Sequence, residues 1–335
     1  IYHISSGALT KHTPKVLSSI QIPCKFDADL TLERDAPVFS KYLNDLTSGD
    51  ALDQTFLLEY IGAILSNVPG YRFKKCLFLV GRGDTGKSQL RQLVSSLIGS
   101  ANCQTIDLSK LNDRFSTSQL YGIRLGGSGD VASIRVQEMA TLKNLTGGDD
   151  VNAEYKGKDA FSFKYRGFLW FNANDLPPFG GDRGKHVYDR FSIIQCNNVI
   201  SPEHQDKELL DKLMKEKDAI ASVSIKYLAA AVKRGYTFTE SESMIASREE
   251  YMERNNSLVV FVRDRCEMTG RTKRSTFRRI YLEWCKSENA FPEQTRNIDT
   301  ILREYFDIVP IKASEYYYPL TIKDSIRLAF SYGGD

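Results

Sequence analysis

Apolar positions in this chain follow two periods, and the periods alternate along it. Val38, Tyr42, Leu43 and Leu46 share one helical face, and Phe56, Leu57, Tyr60, Ile61 and Ile64 share another. They predict a small helical segment that ends at the turn Asn67-Val68-Pro69-Gly70. Residues 76–80 are wholly apolar, the pattern of a short strand buried on both faces. Residues 89–97 return to helical spacing, as do residues 133–145. Val151, Ala153 and Tyr155, then Phe161, Phe163 and Tyr165, alternate with polar residues about Lys156-Gly157-Lys158-Asp159 and predict a hairpin. Residues 168–171 form another apolar run closed by Pro177 and Pro178, and a further strand follows Arg190. Strands alternating with helices indicate an α/β fold.

The flanks read differently. Residues 1–35 hold Ser, Thr and Pro with few apolar repeats and predict an extended lead-in, with residues 20–26 as a short strand. Residues 203–234 are helical, with Leu209, Leu210, Leu213, Ile220, Val223, Tyr227 and Leu228 as the apolar face. A charged helix follows at 240–255, then helices near 257–267, 277–284 and 296–306, and strands at 308–312 and 316–322. Three helices followed by two strands match a winged-helix domain of the helix-turn-helix class.

Composition narrows the picture. With 335 residues, 41% hydrophobic and 26% charged, the chain has room for two or three domains. No run of apolar residues is long enough for a membrane span. The six cysteines are scattered without a C-x-x-C, which suggests reduced thiols and a cytoplasmic location, in a bacterial host given the family resemblance below. The chain starts at Ile1 with no signal-peptide pattern, so the expectation is a trimmed or partial chain. The net charge of +3 means that any nucleic-acid surface must be local. Five of the nine residues 271–279 are basic, and the helix beyond turns Arg296, Asn297, Thr300 and Arg303 outward. Arg271, Lys273, Arg274, Arg296 and Arg303 are therefore candidate DNA contacts, with a protein-contact domain as the alternative.

The sharpest motif is Gly81-Arg82-Gly83-Asp84-Thr85-Gly86-Lys87-Ser88, which reads G-x-x-x-x-G-K-S between a strand and a helix. Backbone N–H groups of such a loop converge on phosphates at a helix N-terminus. Lys87 adds a cation and Ser88 a hydroxyl for Mg²⁺, so ATP and Mg²⁺ are the expected cofactors. Such a core needs a second acid, and Asp130 has the right position, a surface loop acid being the bland alternative. Glu138 is either a water-polarising group or a solvated helix residue. Asn174, at the end of a core strand, can sense the γ-phosphate or place water. Arg190 is either a surface residue or an arginine finger for a neighbouring copy. Lys156 and Lys158 either are solvated or follow a phosphate backbone.

Taken in order, the phosphate loop, the acid, Leu145-Thr146-Gly147-Gly148-Asp149 with a lysine-tipped hairpin, Asn174-Asp175-Leu176-Pro177 and Arg190-Phe191 resemble superfamily 3 helicases. Within that class the chain resembles the D5-like helicases of phages, plasmids and mobile genetic islands, including the replication initiators of staphylococcal islands. The resemblance implies a P-loop AAA+ core with a small helical domain before it and a C-terminal winged helix. The segments are then a lead-in (1–35), a collar-like helical domain (36–70), the ATPase core (71–200), a lid and connector (201–255) and the winged helix (256–330). It also implies a hexameric ring moving 3′→5′ on single-stranded DNA, with duplex DNA as a further partner. Residues 81–88 take the Walker A role, Asp130 the Walker B acid, Asn174 the sensor and Arg190 the finger, while Lys143, Lys156 and Lys158 belong to the DNA-contacting segment. One departure stands out: Gly129 precedes Asp130 where the family often has a second acid, which leaves the catalytic glutamate unassigned.

The expected function is an ATP-dependent DNA helicase and replication initiator of a mobile element. The alternatives are a DNA-binding ATPase switch or loader that does not unwind, another P-loop motor, and a winged-helix regulator with a degenerate ATPase.

Overall fold

A computed structural model describes residues 1–16, 21–131, 134–323 and 326. It divides into two compact units, Ile1–Pro177 with Gly181–Arg248, and Pro178–Gly180 with Glu249–Asp335.

The first unit is organised by apolar runs too short for helices. These become β1 (Cys76–Val80), β6 (Phe168–Ala173) and β7 (Phe191–Gln195), joined by the short β2 (Cys103–Thr105) and β3 (Leu125–Gly127). Among the described residues they form a five-stranded parallel sheet in the order β2-β3-β6-β1-β7. Leu77 lies opposite Trp170 and Ser192, and Val80 opposite Ala173 and Gln195. Every residue of β1 and β6 is buried, as a parallel sheet covered on both faces requires. The hairpin β4 (Asp150–Glu154) and β5 (Ala160–Lys164) stands apart, in register Asp150↔Lys164 and Glu154↔Ala160.

Helices pack around the sheet: α1 (Pro37–Leu46), α2 (Ala51–Leu65), α3 (Lys87–Ile98), α4 (Ala140–Gly147), α5 (Leu209–Lys215), α6 (Lys217–Lys233) and α7 (Glu242–Arg254). Asp50 caps α2 by accepting from the N–H groups of Leu52 and Asp53. The helix is apolar on nearly every side. It packs on α6, and Tyr60 reaches through to donate to the Leu169 carbonyl at 2.7 Å. Residues 37–65 and 209–233 thus share one core with the sheet, although sequence assigns them to a collar and a lid. Arg124 locks this junction. Its guanidinium donates to the carbonyls of Ile64 (2.9 Å), Val68 (2.7 Å), Arg166 (2.5 Å) and Ala63, tying the last turn of α2 to the segments beside it. Burial pushes its pKa down to about 10.

Some boundaries differ from expectation. The lead-in pairs Tyr2–His3 with Ala8–Leu9, and residues 21–26 form no strand; residue 20 lies outside the described residues. Of the helix expected over 133–145, residue 133 lies outside the described residues, and the helix begins at Ala140, after the β-branched Ile134 and Val136.

The second unit holds α8 (Ser257–Arg265), α9 (Arg274–Ser287) and α10 (Ile298–Phe306) around Phe261, Phe277, Tyr281, Trp284 and Leu302. Short strands β8 (Cys266–Glu267), β9 (Thr272–Lys273), β10 (Ile311–Lys312), β11 (Tyr316–Tyr318) and β12 (Thr321–Ile322) pair antiparallel as β8-β12 and β9-β11-β10. The single strand expected over 316–322 is split because Pro319 cannot donate to a ladder.

Candidate functional site

All five core strands run the same way, so their carboxyl ends share one edge. β1 leads there into residues 81–86, and α3 starts at Lys87. Two glycines are needed for this turn. Gly81 has φ 152°, and a Cβ on it would fall 2.1 Å from the Cys196 carbonyl oxygen. Gly86 has φ 92° and lies against the Tyr42 ring, whose hydroxyl donates to the Gly86 carbonyl at 2.8 Å. Gly83 is different: a Cβ there meets nothing within 4 Å. The left-handed position inside the loop is instead taken by Asp84, at φ 60°.

Lys87 folds back over the loop. Its ammonium donates to the carbonyls of Gly81 (2.7 Å) and Arg82 (2.6 Å) and to Thr85 Oγ1 (3.0 Å). Burial lowers its pKa, while the carboxylates of Asp130 and Asp84 act in the opposite sense.

Beside the loop is a cavity of about 610 Å³, lined by residues 83–89, Asp130, Asn172 and Asn174. That volume suits a nucleotide-sized ligand. The structure therefore brings together Gly83, Asp84, Thr85, Gly86, Lys87, Ser88, Asp130 and Asn174, with Gly81 and Arg82 at the root of the loop. The strand order explains why. β6 sits between β1 and β3, so its end lies between the loop and the acid. Glu138 is not brought in: it is exposed, outside the cavity, and close to Gly181.

Sequence reasoning missed three contributors. Asn172 lines the cavity, accepts from Trp170 Nε1 at 2.8 Å, and has a buried Nδ2 with no partner among the described residues. The signal was available, since an amide interrupts an apolar strand. Tyr42 comes from α1, too far away in sequence to be linked to the loop. Arg91, buried on α3, donates to the carbonyls of Trp170 (3.2 Å) and Gly127 (2.7 Å) and ties the helix to two strands. Nothing in the sequence separates it from a surface arginine.

Arg190 is at the other edge. Its carbonyl accepts from the Cys76 N–H at 2.7 Å, so it lies beside the amino end of β1. Five strand residues, about 16 Å, separate it from the loop. Lys143, on α4, is bound to Asp182 at 2.9 Å, and His186 Nε2 meets the same carboxylate at 2.8 Å. Principally through the Lys143 hydrogen bond, Asp182 is held down at about 2.

At the hairpin tip Lys156 and Lys158 are exposed and have no ion-pair partner among the described residues. Tyr155 stacks on Phe161 at 5.2 Å, and Lys158 Nζ lies 5.9 Å from the Tyr155 ring centre. In the second unit the predicted cations differ in availability. Arg274 is paired with Asp299, which also receives the Tyr318 hydroxyl at 2.5 Å and Arg278 at 3.6 Å. Lys273 meets Glu315 at 3.3 Å, and Arg271 lies over Tyr317 at 4.2 Å. Arg296 and Arg303 are exposed without an ion-pair partner among the described residues. No helix among those residues is long and apolar enough to cross a membrane.

Comparison with known proteins agrees with this architecture. Residues 79–190, from β1 to Arg190, match a family of unknown function, DUF5906. The A form apo structure of the NrS-1 C-terminal region is similar over 94% of this chain and 79% of that one, with a TM-score of 0.53 and 17% identity. A second apo structure of the same region gives a TM-score of 0.49 at the same identity and coverage. At 17% identity the likeness is one of fold: a mixed α/β chain built on a parallel five-stranded sheet.

Proposed function

We propose that this chain is an ATP-dependent DNA helicase of the superfamily 3, AAA+ class and the replication initiator of a mobile genetic element. One observation carries the reading. The phosphate loop, Asp130 and Asn174 share one cavity at the carboxyl edge of the sheet, while Arg190 lies at the amino edge. Such a site is completed by a second copy, as in a ring.

The chain's own groups fit a bound nucleotide. The N–H groups at the start of α3 and the Lys87 ammonium, which exchanges its loop carbonyls for phosphate oxygens, hold the β- and γ-phosphates. Ser88 and Asp130 would hold Mg²⁺, which when bound offsets the phosphate charge. The amides of Asn174 and Asn172 orient the attacking water. Arg190 of the adjacent copy stabilises charge on the transferred phosphoryl group. The hairpin lysines engage the backbone of single-stranded DNA, and the second unit, read as a winged helix, contacts duplex through Arg296 and Arg303. In this reading six copies move 3′→5′ on single-stranded DNA.

A second reading is an ATPase switch or loader that does not unwind. It is favoured by Glu138 lying outside the cavity, which leaves the expected water-polarising glutamate away from Asp130. Strand displacement from a forked duplex, with ATP and Mg²⁺, decides between them. The helicase reading requires displacement by wild type, none by Lys87→Ala, and ATP turnover without displacement by Lys156→Ala/Lys158→Ala. ATP turnover and DNA binding by wild type without displacement would establish the switch.

A further inference from the structure

The segment Thr146-Gly147-Gly148-Asp149, which links α4 to the hairpin, has no role in the reading above. It lies against Arg190. The Arg190 Nη1 donates to Thr146 Oγ1 at 3.0 Å. Thr146 is 5% exposed, and its hydroxyl gives its own proton to the Leu142 carbonyl at 2.7 Å, so toward Arg190 it can only accept. A Cβ on Gly147 would stand 3.0 Å from Asp149 Oδ2 and 3.6 Å from both terminal guanidinium nitrogens, so the turn runs alongside the Arg190 side chain.

Arg190 is held without being neutralised. No carboxylate lies within ion-pair distance of it among the described residues, and its buried Nε has no partner there. Asp149, the acid that acts on it electrostatically, is exposed. Other arginines of the chain are spent differently. Arg248 is paired with Glu240 at 2.7 Å, Arg274 with Asp299, and Arg124 gives its donors to backbone carbonyls. An arginine that serves a second copy needs a fixed rotamer and an intact charge, and a hydroxyl acceptor provides both.

We propose that Thr146 is the positioning residue of Arg190, fixing its guanidinium through a neutral hydrogen bond and leaving the remaining donors for the γ-phosphate of a nucleotide held by the adjacent copy. This rests on the role given to Arg190 above. Thr146→Val keeps the shape and removes the acceptor.

Steady-state ATP turnover of the full chain, with thermal melting as the folding control, tests it. Thr146→Val lowers kcat about tenfold and leaves KM for ATP within about twofold. Thr146→Ser, which restores the acceptor, returns kcat to within about twofold of wild type. Thr146→Val added to Arg190→Ala lowers kcat no further than Arg190→Ala alone. Should Thr146→Val fail to fold, Thr146→Ala is judged on the same criteria. A wild-type kcat for Thr146→Val beside an impaired Arg190→Ala, or additive losses in the double variant, overturns the inference and leaves the assignment of Arg190 standing. A wild-type kcat for Arg190→Ala overturns both.

Discussion

At the carboxyl edge of the sheet Lys87 spends all three ammonium protons, whereas at the amino edge Arg190 spends a single donor, on Thr146. Lys87's partners belong to the loop a phosphate would enter, so ligand and loop can exchange places without moving a strand. Arg190 has no carboxylate partner among the described residues, and its buried Nε has no acceptor there. The first edge is satisfied until a ligand arrives from solvent; the second becomes satisfied when another molecule arrives. A parallel sheet keeps them apart by the length of β1, about 16 Å, and under the proposed function that separation would make the site a property of an assembly.

The largest effects come from removing one edge's chemistry at a time. Arg190→Ala lowers ATP turnover about 10³-fold. Lys87→Ala lowers it about 10²-fold or more, and neither changes the melting temperature of the isolated chain appreciably. Equal kcat for wild type and either variant would remove that edge from the site.

Substitutions that break the frame of each edge come next. Arg124→Leu removes a donor from four carbonyls, of which those of Ala63 and Arg166 keep another, and costs about 3 kcal/mol in denaturant unfolding. Gly81→Ala forces a Cβ onto the Cys196 carbonyl at the carboxyl edge and costs about 3 kcal/mol, whereas Gly83→Ala stays within about 0.5 kcal/mol of wild type. Equal stability of these two glycine variants would mean that the loop does not adopt this path.

A smaller effect separates DNA from nucleotide. Lys156→Ala/Lys158→Ala lowers the slope of log affinity for single-stranded DNA against log salt by about 1.4, while turnover without DNA is unchanged. An unaltered slope removes the tip from the DNA path.

The smallest effect is a titration. Because burial holds Lys87 below the ordinary lysine value of 10.5, its charge is lost as pH rises through the lowered value. KM for ATP therefore climbs at alkaline pH in wild type and stays flat in Lys87→Arg, which keeps its charge. Parallel profiles would exclude Lys87 as the titrating group.

What could be read from sequence was whatever local spacing encodes. Gly81 and Gly86 announce a turn, the unbroken apolar run 76–80 a buried strand, and the alternation from Val151 to Tyr165 a hairpin. What could not be read was set by partners distant along the chain. Nothing near Arg124 says that it will cap a helix ending at Leu65, and nothing near Phe56 says that its helix will join residues 217–233 in one core. The basic run 271–279 looks like a free cationic surface until Asp299 and Glu315 are seen to engage Arg274 and Lys273. Arg296 and Arg303, isolated in sequence, are the freer cations. Pro319 marks the split between β11 and β12 and was legible, but it was outweighed by the β-branched and aromatic residues around it.

The central claim is that one catalytic site is shared between two copies, and mixing subunits tests it most directly. Lys87→Ala retains an intact Arg190, and Arg190→Ala retains an intact loop. Each should be nearly inactive alone. An equimolar mixture, with co-assembly shown by differently tagged copies, should regain ATP turnover, since random mixing joins an intact loop to an intact arginine at about a quarter of the interfaces. Mixed assemblies that form and remain as inactive as either parent would contradict the account.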